Sequence, residues 1–173
     1  MQIILFRHGP AGRRNSERWP NDALRPLTVR GRERTRRAAR GLGTLLARQP
    51  VILTSPFKRA KQTADLLAEE LLVSSPAAEP ALEPGASQRT LLQKLATTKS
   101  DECVVLVGHE PDLGALAGRL LTGSATALSL KKAGACSIHF IGALEPAAGK
   151  LDWFLTPRVL RRVGSRAGKR VGK

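Results

Sequence analysis

Residues 3–12 read IILFRHGPAG, and this stretch decides the fold. Residues 2–6 form a run of strand length, with the continuous apolar pattern of a central parallel strand buried on both faces. At its end stand Arg7, His8 and Gly9. Unpaired buried charge is expensive, so an arginine and a histidine that close a core strand are expected to meet something negative.

Two later stretches repeat the arrangement. VIL (51–53) ends in TSP, and CVVLV (103–107) ends in GHEP. Between the strands the apolar spacing turns helical. Ala38, Ala39, Leu42, Leu45 and Leu46 follow Thr28, and Ala60, Ala64, Leu67 and Leu71 follow Ser55-Pro56, a helix-start pair with serine at the cap and proline first in the helix. Leu91, Leu92 and Leu95 follow Ser87, and Leu113, Leu116, Ala117, Leu120 and Leu121 follow Pro111. SIHF and LDWFL read as an antiparallel strand pair at one edge. Alternating strands and helices predict an α/β fold: a mainly parallel sheet covered on both faces, with an antiparallel edge.

The 173 residues fit one domain with a real core. No apolar run approaches the ~18 residues of a membrane span, and no signal peptide is evident. Cys103 and Cys136 lie in apolar segments and read as reduced, buried thiols, so a cytoplasmic location is expected. The net charge of +15 is the outlier. Residues 158–173 carry seven Lys/Arg and no acid, which divides the chain into a domain over 1–157 and a basic C-terminal tail over 158–173. A second basic cluster lies in TVRGRERTRRAARG. With 3% aromatics and no tyrosine, stacking platforms for nucleic acid are scarce. Nucleic acid is therefore expected to bind non-specifically if at all.

In open parallel sheets ligands bind beyond the carboxyl ends of the strands, so FRHG (6–9), TSPFKRAKQTA (54–64) and VGHEP (107–111) should converge. Arg7 and Arg59 suit a phosphoryl group, because guanidinium forks bind phosphate oxygens in bidentate fashion. Arg59 also falls in the first turn of its helix, where free N–H groups favour an anion. His8 and His109 supply a nucleophilic imidazole and a donor to the transferring oxygens. Gly9 allows close backbone approach. Arg25, just before PLT, either reaches the phosphate or flanks a turn, and Trp19 is expected to pack over its loop.

RHG with a distant SPxxRAxQTA and a later GHEP resembles the histidine phosphatase superfamily. The short length, PLT (26–28), GHEPDL (108–113) and LKKAG (130–134) look like its compact SixA-type phosphohistidine phosphatase branch. The resemblance covers roughly residues 1–157. It implies a phosphoglycerate mutase-like three-layer α/β/α sandwich and metal-independent hydrolysis through a phosphohistidine intermediate. His8 would be the nucleophile, Arg7, Arg59 and His109 would hold the phosphoryl oxygens with Gly9 and Arg25 beside them, and no metal or cofactor would take part.

Superfamily members that hydrolyse phosphate esters place a carboxylic acid between the second and third motifs. Glu79 and Glu83 offer no convincing match, and neither do Glu110 and Asp112 beside His109. An alkoxide needs a proton to leave, whereas an imidazole, with a pKa of about 6.5, leaves without a strong acid. The expected partner is thus a protein bearing phosphohistidine. The alternatives are a small phosphorylated compound, and a phosphate- or polyanion-binding module without turnover.

Overall fold

A computed structural model describes residues 1–99, 101–125 and 128–167. Six strands form one sheet: β1 (Gln2–Arg7), β2 (Val51–Thr54), β3 (Ala77–Ala78), β4 (Cys103–Gly108), β5 (Ala135–His139) and β6 (Lys150–Leu155). Their order is β3-β2-β4-β1-β5-β6. β1, β2, β3 and β4 run parallel, while β5 is antiparallel to both β1 and β6. Among the described residues there are five α-helices: α1 (Val29–Gly43), α2 (Lys58–Leu71), α3 (Gln88–Leu95), α4 (Asp112–Thr122) and α5 (Pro157–Ala167).

Strand periodicity divides the core in two. Ile4 and Phe6 point to one face with Ala38 and Leu42 of α1, Ala64 and Leu67 of α2, and Leu160 of α5. Ile3 and Leu5 point to the other, with Leu91 and Leu95 of α3 and Leu116 and Leu120 of α4. Ile3, Ile4, Leu5 and Phe6 are all fully buried, and each such side chain contributes roughly 1.5–3 kcal/mol of burial. The fold is therefore the expected three-layer α/β/α sandwich with an antiparallel edge. Both cysteines are free and buried. Among the described residues no helix is long and apolar enough to cross a membrane.

Two local expectations are corrected. Ser55 and Pro56 do not start α2, because Phe57 occupies the cap position and the helix begins at Lys58. The Ser55 hydroxyl instead accepts from the Phe57 N–H at 3.3 Å and contacts His109. The larger correction concerns the segment read as a tail from 158. Residues 157–167 form α5, which buries Leu160 against α1. At the crossing both helices carry glycine. A Cβ on Gly41 would lie 1.9 Å from the Leu160 carbonyl oxygen, and one on Gly164 would lie 2.7 Å from the Gly41 nitrogen. The end of the expected tail, residues 168–173, lies outside the described residues.

Candidate active site

The hydrogen-bond ladder brings the three motifs together. Arg7 pairs with Gly108 in β4, and Thr54 pairs with Val107. One residue further on, His8 N–H donates to Gly108 O at 3.0 Å and Ser55 N–H to Val107 O at 2.9 Å. His8, Ser55 and His109 therefore leave three adjacent parallel strands at one level. His8 and His109 border a cleft of about 700 Å³ lined also by Arg7, Asp22, Arg25, Arg59, Glu110 and Lys132.

His8 is buried, and its Nδ1 lies 2.7 Å from the Gly9 carbonyl oxygen. A carbonyl only accepts, so Nδ1 carries the proton and Nε2 keeps its lone pair. Burial pushes the pKa of His8 down to about 3; the Gly9 carbonyl opposes this, and His109, Arg59 and Arg7 add to it. The ring is neutral near neutral pH. His109 stands with its ring centroid 5.1 Å from that of His8 and edge-on to Phe57. Its Nε2 is 2.9 Å from Ser55 Oγ. The buried Ser55 hydroxyl has no other acceptor among the described residues, so it donates to Nε2 and the proton of His109 sits on Nδ1. Burial first, and then Arg59, lowers the pKa of His109 to about 3.

Arg7 donates from Nη1 to Leu130 O at 2.7 Å. Arg59 donates from Nη1 to Asp22 O at 2.8 Å and pairs with Asp22 Oδ2 at 3.1 Å. Its guanidinium lies 5.0 Å from the centre of the Phe57 ring. The Nε atoms of Arg7 and Arg59, and His109 Nδ1, are buried without a hydrogen-bond partner among the described residues. Buried donors are almost always paired in folded proteins. Three such groups lining one cationic cleft suit an anion.

Two expected phosphate ligands also hold contacts within the chain. Gly9 donates its N–H to Thr63 Oγ1 at 3.0 Å, and a Cβ there would lie 2.0 Å from Thr35 Oγ1. It allows α1 and α2 to close on the strand end, and its N–H is already engaged. Arg25 is likewise engaged, with Nε 2.8 Å from Asp22 Oδ1, Nη2 3.3 Å from Asp22 Oδ2, and Nη1 2.8 Å from Gly12 O. It braces the loop that carries Asp22. Trp19 lies away from the cleft lining, beside Gly12.

Sequence reasoning passed over Asp22, Ser55 and Lys132. Asp22 bridges Arg25 and Arg59, and the Arg25 hydrogen bonds hold its pKa below the usual value against partial burial. Its only signal was a carboxylate three residues before Arg25. Lys132 lies in the LKKAG stretch held by Arg7 and Glu110, the latter accepting from Leu130 N–H at 3.0 Å. Burial first, then Arg7, Arg25 and Arg59, lowers the Lys132 pKa. Glu110 is raised by burial, with Leu130 and Arg7 opposing. Glu79 is buried elsewhere, where it accepts from Ala81 N–H and pairs with Lys94. Among the described residues no group of three or more His, Cys, Asp or Glu is arranged to hold a metal ion.

The chain matches known proteins over most of its length. The profile of the histidine phosphatase superfamily (branch 1) matches residues 3–85. An uncharacterised protein of Picosynechococcus sp. (strain ATCC 27264 / PCC 7002 / PR-6) is 40% identical over 137 residues, covering 78% of this chain and 82% of that protein. The phosphohistidine phosphatase SixA of Escherichia coli K12 is 29% identical over 161 residues, covering 91% and 94%. The structure of the protein histidine phosphatase SixA complexed with tungstate superposes with a TM-score of 0.80 at 27% identity, covering 92% of this chain and 99% of that one.

Proposed function

Since the chain belongs to the histidine phosphatase superfamily and is thereby a phosphatase, we propose that it hydrolyses phosphohistidine on a protein partner through a phosphohistidine of its own at His8. His8 Nε2 attacks phosphorus, a new N–P bond forms, and the N–P bond of the substrate breaks. The departing imidazole takes a proton from solvent. Water then attacks the phosphoryl group on His8, releasing inorganic phosphate and restoring the neutral ring.

The observation that carries this reading is the trio of unpartnered buried donors beside a neutral His8. Arg7 and Arg59 hold the phosphoryl oxygens, and His109 Nδ1–H stabilises charge as it spreads over them. Asp22 and Arg25 position Arg59. No step is assigned to a metal or cofactor, since these donors already neutralise the transferring group.

The preference for a phosphoramidate over an ester is supported by the two carboxylates of the cleft. Asp22, ion-paired to Arg59 and Arg25, stays ionised and has no proton to give. Glu110, although burial raises its pKa, has its Oε1 engaged by Leu130 N–H and is hydrogen-bonded by the Gly114 backbone. It fastens backbone segments together. A leaving alkoxide would thus find no poised acid, whereas a leaving imidazole needs none.

Rapid quench with a labelled histidine-phosphorylated protein tests both parts. Label is expected on wild-type chain and not on His8→Ala, with turnover of that variant reduced by a factor on the order of 10³ or more. Failure to trap label on wild type counts against the intermediate. Hydrolysis of small phosphate esters far faster than of the phosphoprotein would assign the site to small molecules.

A further inference from the structure

The arginines of α1 fall into two sets. Arg36 and Arg40 face α2 and pair with Glu69 and Glu70, the Arg40 Nε lying 2.7 Å from Glu70 Oε2. Arg30, Glu33, Arg34 and Arg37, at i, i+3, i+4 and i+7, face α5 instead. There Arg158, Arg161, Arg162 and Ser165 repeat the same spacing, and the two faces enclose a groove of about 590 Å³. Among the described residues none of these six arginines forms an ion pair. The one polar link across the groove joins Arg37 Nη2 to Ser165 Oγ at 3.5 Å. Burial and the charges of Arg34 and Arg37 lower the pKa of Arg161. The two helices are nevertheless brought together by a glycine on each at their crossing.

One end of the groove lies at the end of the sheet that carries His8. Arg30 lies two residues beyond Thr28, whose N–H donates to Pro10 O at 3.1 Å, and Pro10 lies two residues beyond His8. α5 leaves β6 at Leu155, which pairs with Ala135, itself opposite Phe6 in β1. Both helices thus begin at the end of the sheet that carries His8.

We propose that the α1–α5 groove docks an acidic segment of the protein whose phosphohistidine is presented to His8. The identity of that partner rests on the function proposed above. Glu33 favours a protein over a polynucleotide as the occupant. A carboxylate among the arginines repels a uniform phosphate backbone, but it matches a segment in which a lysine stands among carboxylates. The lining also holds no aromatic side chain on which a base would stack.

The test uses two fluorescent probes of equal net charge: a glutamate-rich helical peptide carrying one lysine, and a single-stranded oligonucleotide. Binding is read by anisotropy for wild type, Arg34→Glu/Arg162→Glu and Glu33→Gln. The double variant is expected to weaken peptide binding at least about tenfold. Glu33→Gln should weaken the peptide up to about fivefold while tightening the oligonucleotide. Hydrolysis of a small phosphorylated substrate should stay unchanged in both variants, which reports that they fold. Peptide binding indifferent to the double variant overturns the proposal, as does an oligonucleotide that binds the groove more tightly than the peptide. Turnover of a histidine-phosphorylated acidic protein separates the two readings. If wild type turns it over and the double variant does so equally well, docking fails and the proposed function stands. If wild type does not turn it over but the peptide still needs the groove arginines, docking stands and the proposed function fails.

Discussion

His8, the nucleophile of the proposed function, is kept neutral and oriented by two backbone carbonyls and by burial. The Gly108 carbonyl accepts from its main-chain N–H, and the Gly9 carbonyl engages Nδ1, which turns Nε2 outward as a lone pair. Burial and the nearby cations keep the ring from taking a second proton. NMR titration is therefore expected to show neutral rings for His8 and His109 from about pH 8 to about pH 5, where an ordinary histidine titrates near 6.5. A midpoint near 6.5 for His8 would remove the electrostatic account of its reactivity. The linkage has a definite sign, since each folded-state pKa is lowered. The unfolded chain binds more protons between about 3 and about 6.5. Stability from these groups is present above the unfolded value and is lost as pH falls toward the folded one.

At the scale of elements, α5 is the part of the fold that the sequence hid. Seven basic residues in its last sixteen made the C-terminus read as a solvated tail. The helical signal was Val159, Leu160 and Val163 at i, i+1 and i+4, a narrow apolar stripe among arginines. Glycine is a poor helix former, yet Gly164 is a contact that lets α5 approach α1. Gly41→Ala is accordingly expected to lower stability by about 1–3 kcal/mol, because its Cβ would meet the Leu160 carbonyl and push α5 away from α1. Thermal unfolding measures it, and an unchanged Tm would mean that the crossing has room to give. Five of the strands and the other four helices were legible because their apolar periods are unambiguous, as with CVVLV in β4 and the Leu113–Leu120 face of α4, whereas β3 is two alanines in a Pro/Ala-rich stretch. The start of α2 was not, because Ser55-Pro56 carries a cap signal while the Ser55 hydroxyl is engaged with His109.

Over the whole molecule, the net charge of +15 sets how partners arrive. The cleft and the α1–α5 groove both present arginine, so an acidic phosphoprotein should be drawn in from beyond contact distance. Steady-state kinetics across a salt series are expected to show kcat/KM for such a substrate falling as the Debye length shrinks below about 10 Å, with kcat nearly constant. A flat kcat/KM would remove steering from the mechanism. The convergence of His8, Arg59 and His109 was legible from three strand ends and the rule that parallel sheets bind at their carboxyl edge. The parts supplied by loops were not. Asp22 reaches Arg59 across the chain, and Lys132 enters the cleft only because Arg7 and Glu110 hold the LKKAG stretch.

The division between strand ends and loops bears on how such a molecule diversifies. β1 is fastened on both sides, by β4 and by β5, so the strand that presents His8 cannot shift without the sheet coming apart. Asp22, Arg25 and Lys132 hang instead on surface connections, where insertions and exchanges are tolerated. Under the proposed function, variation over generations can therefore reshape which phosphorylated surface is accepted while His8 on its strand stays fixed. The same property makes grafting a foreign loop onto the mostly exposed residues 13–20, short of Asp22 and Arg25, a practical route to altered selectivity.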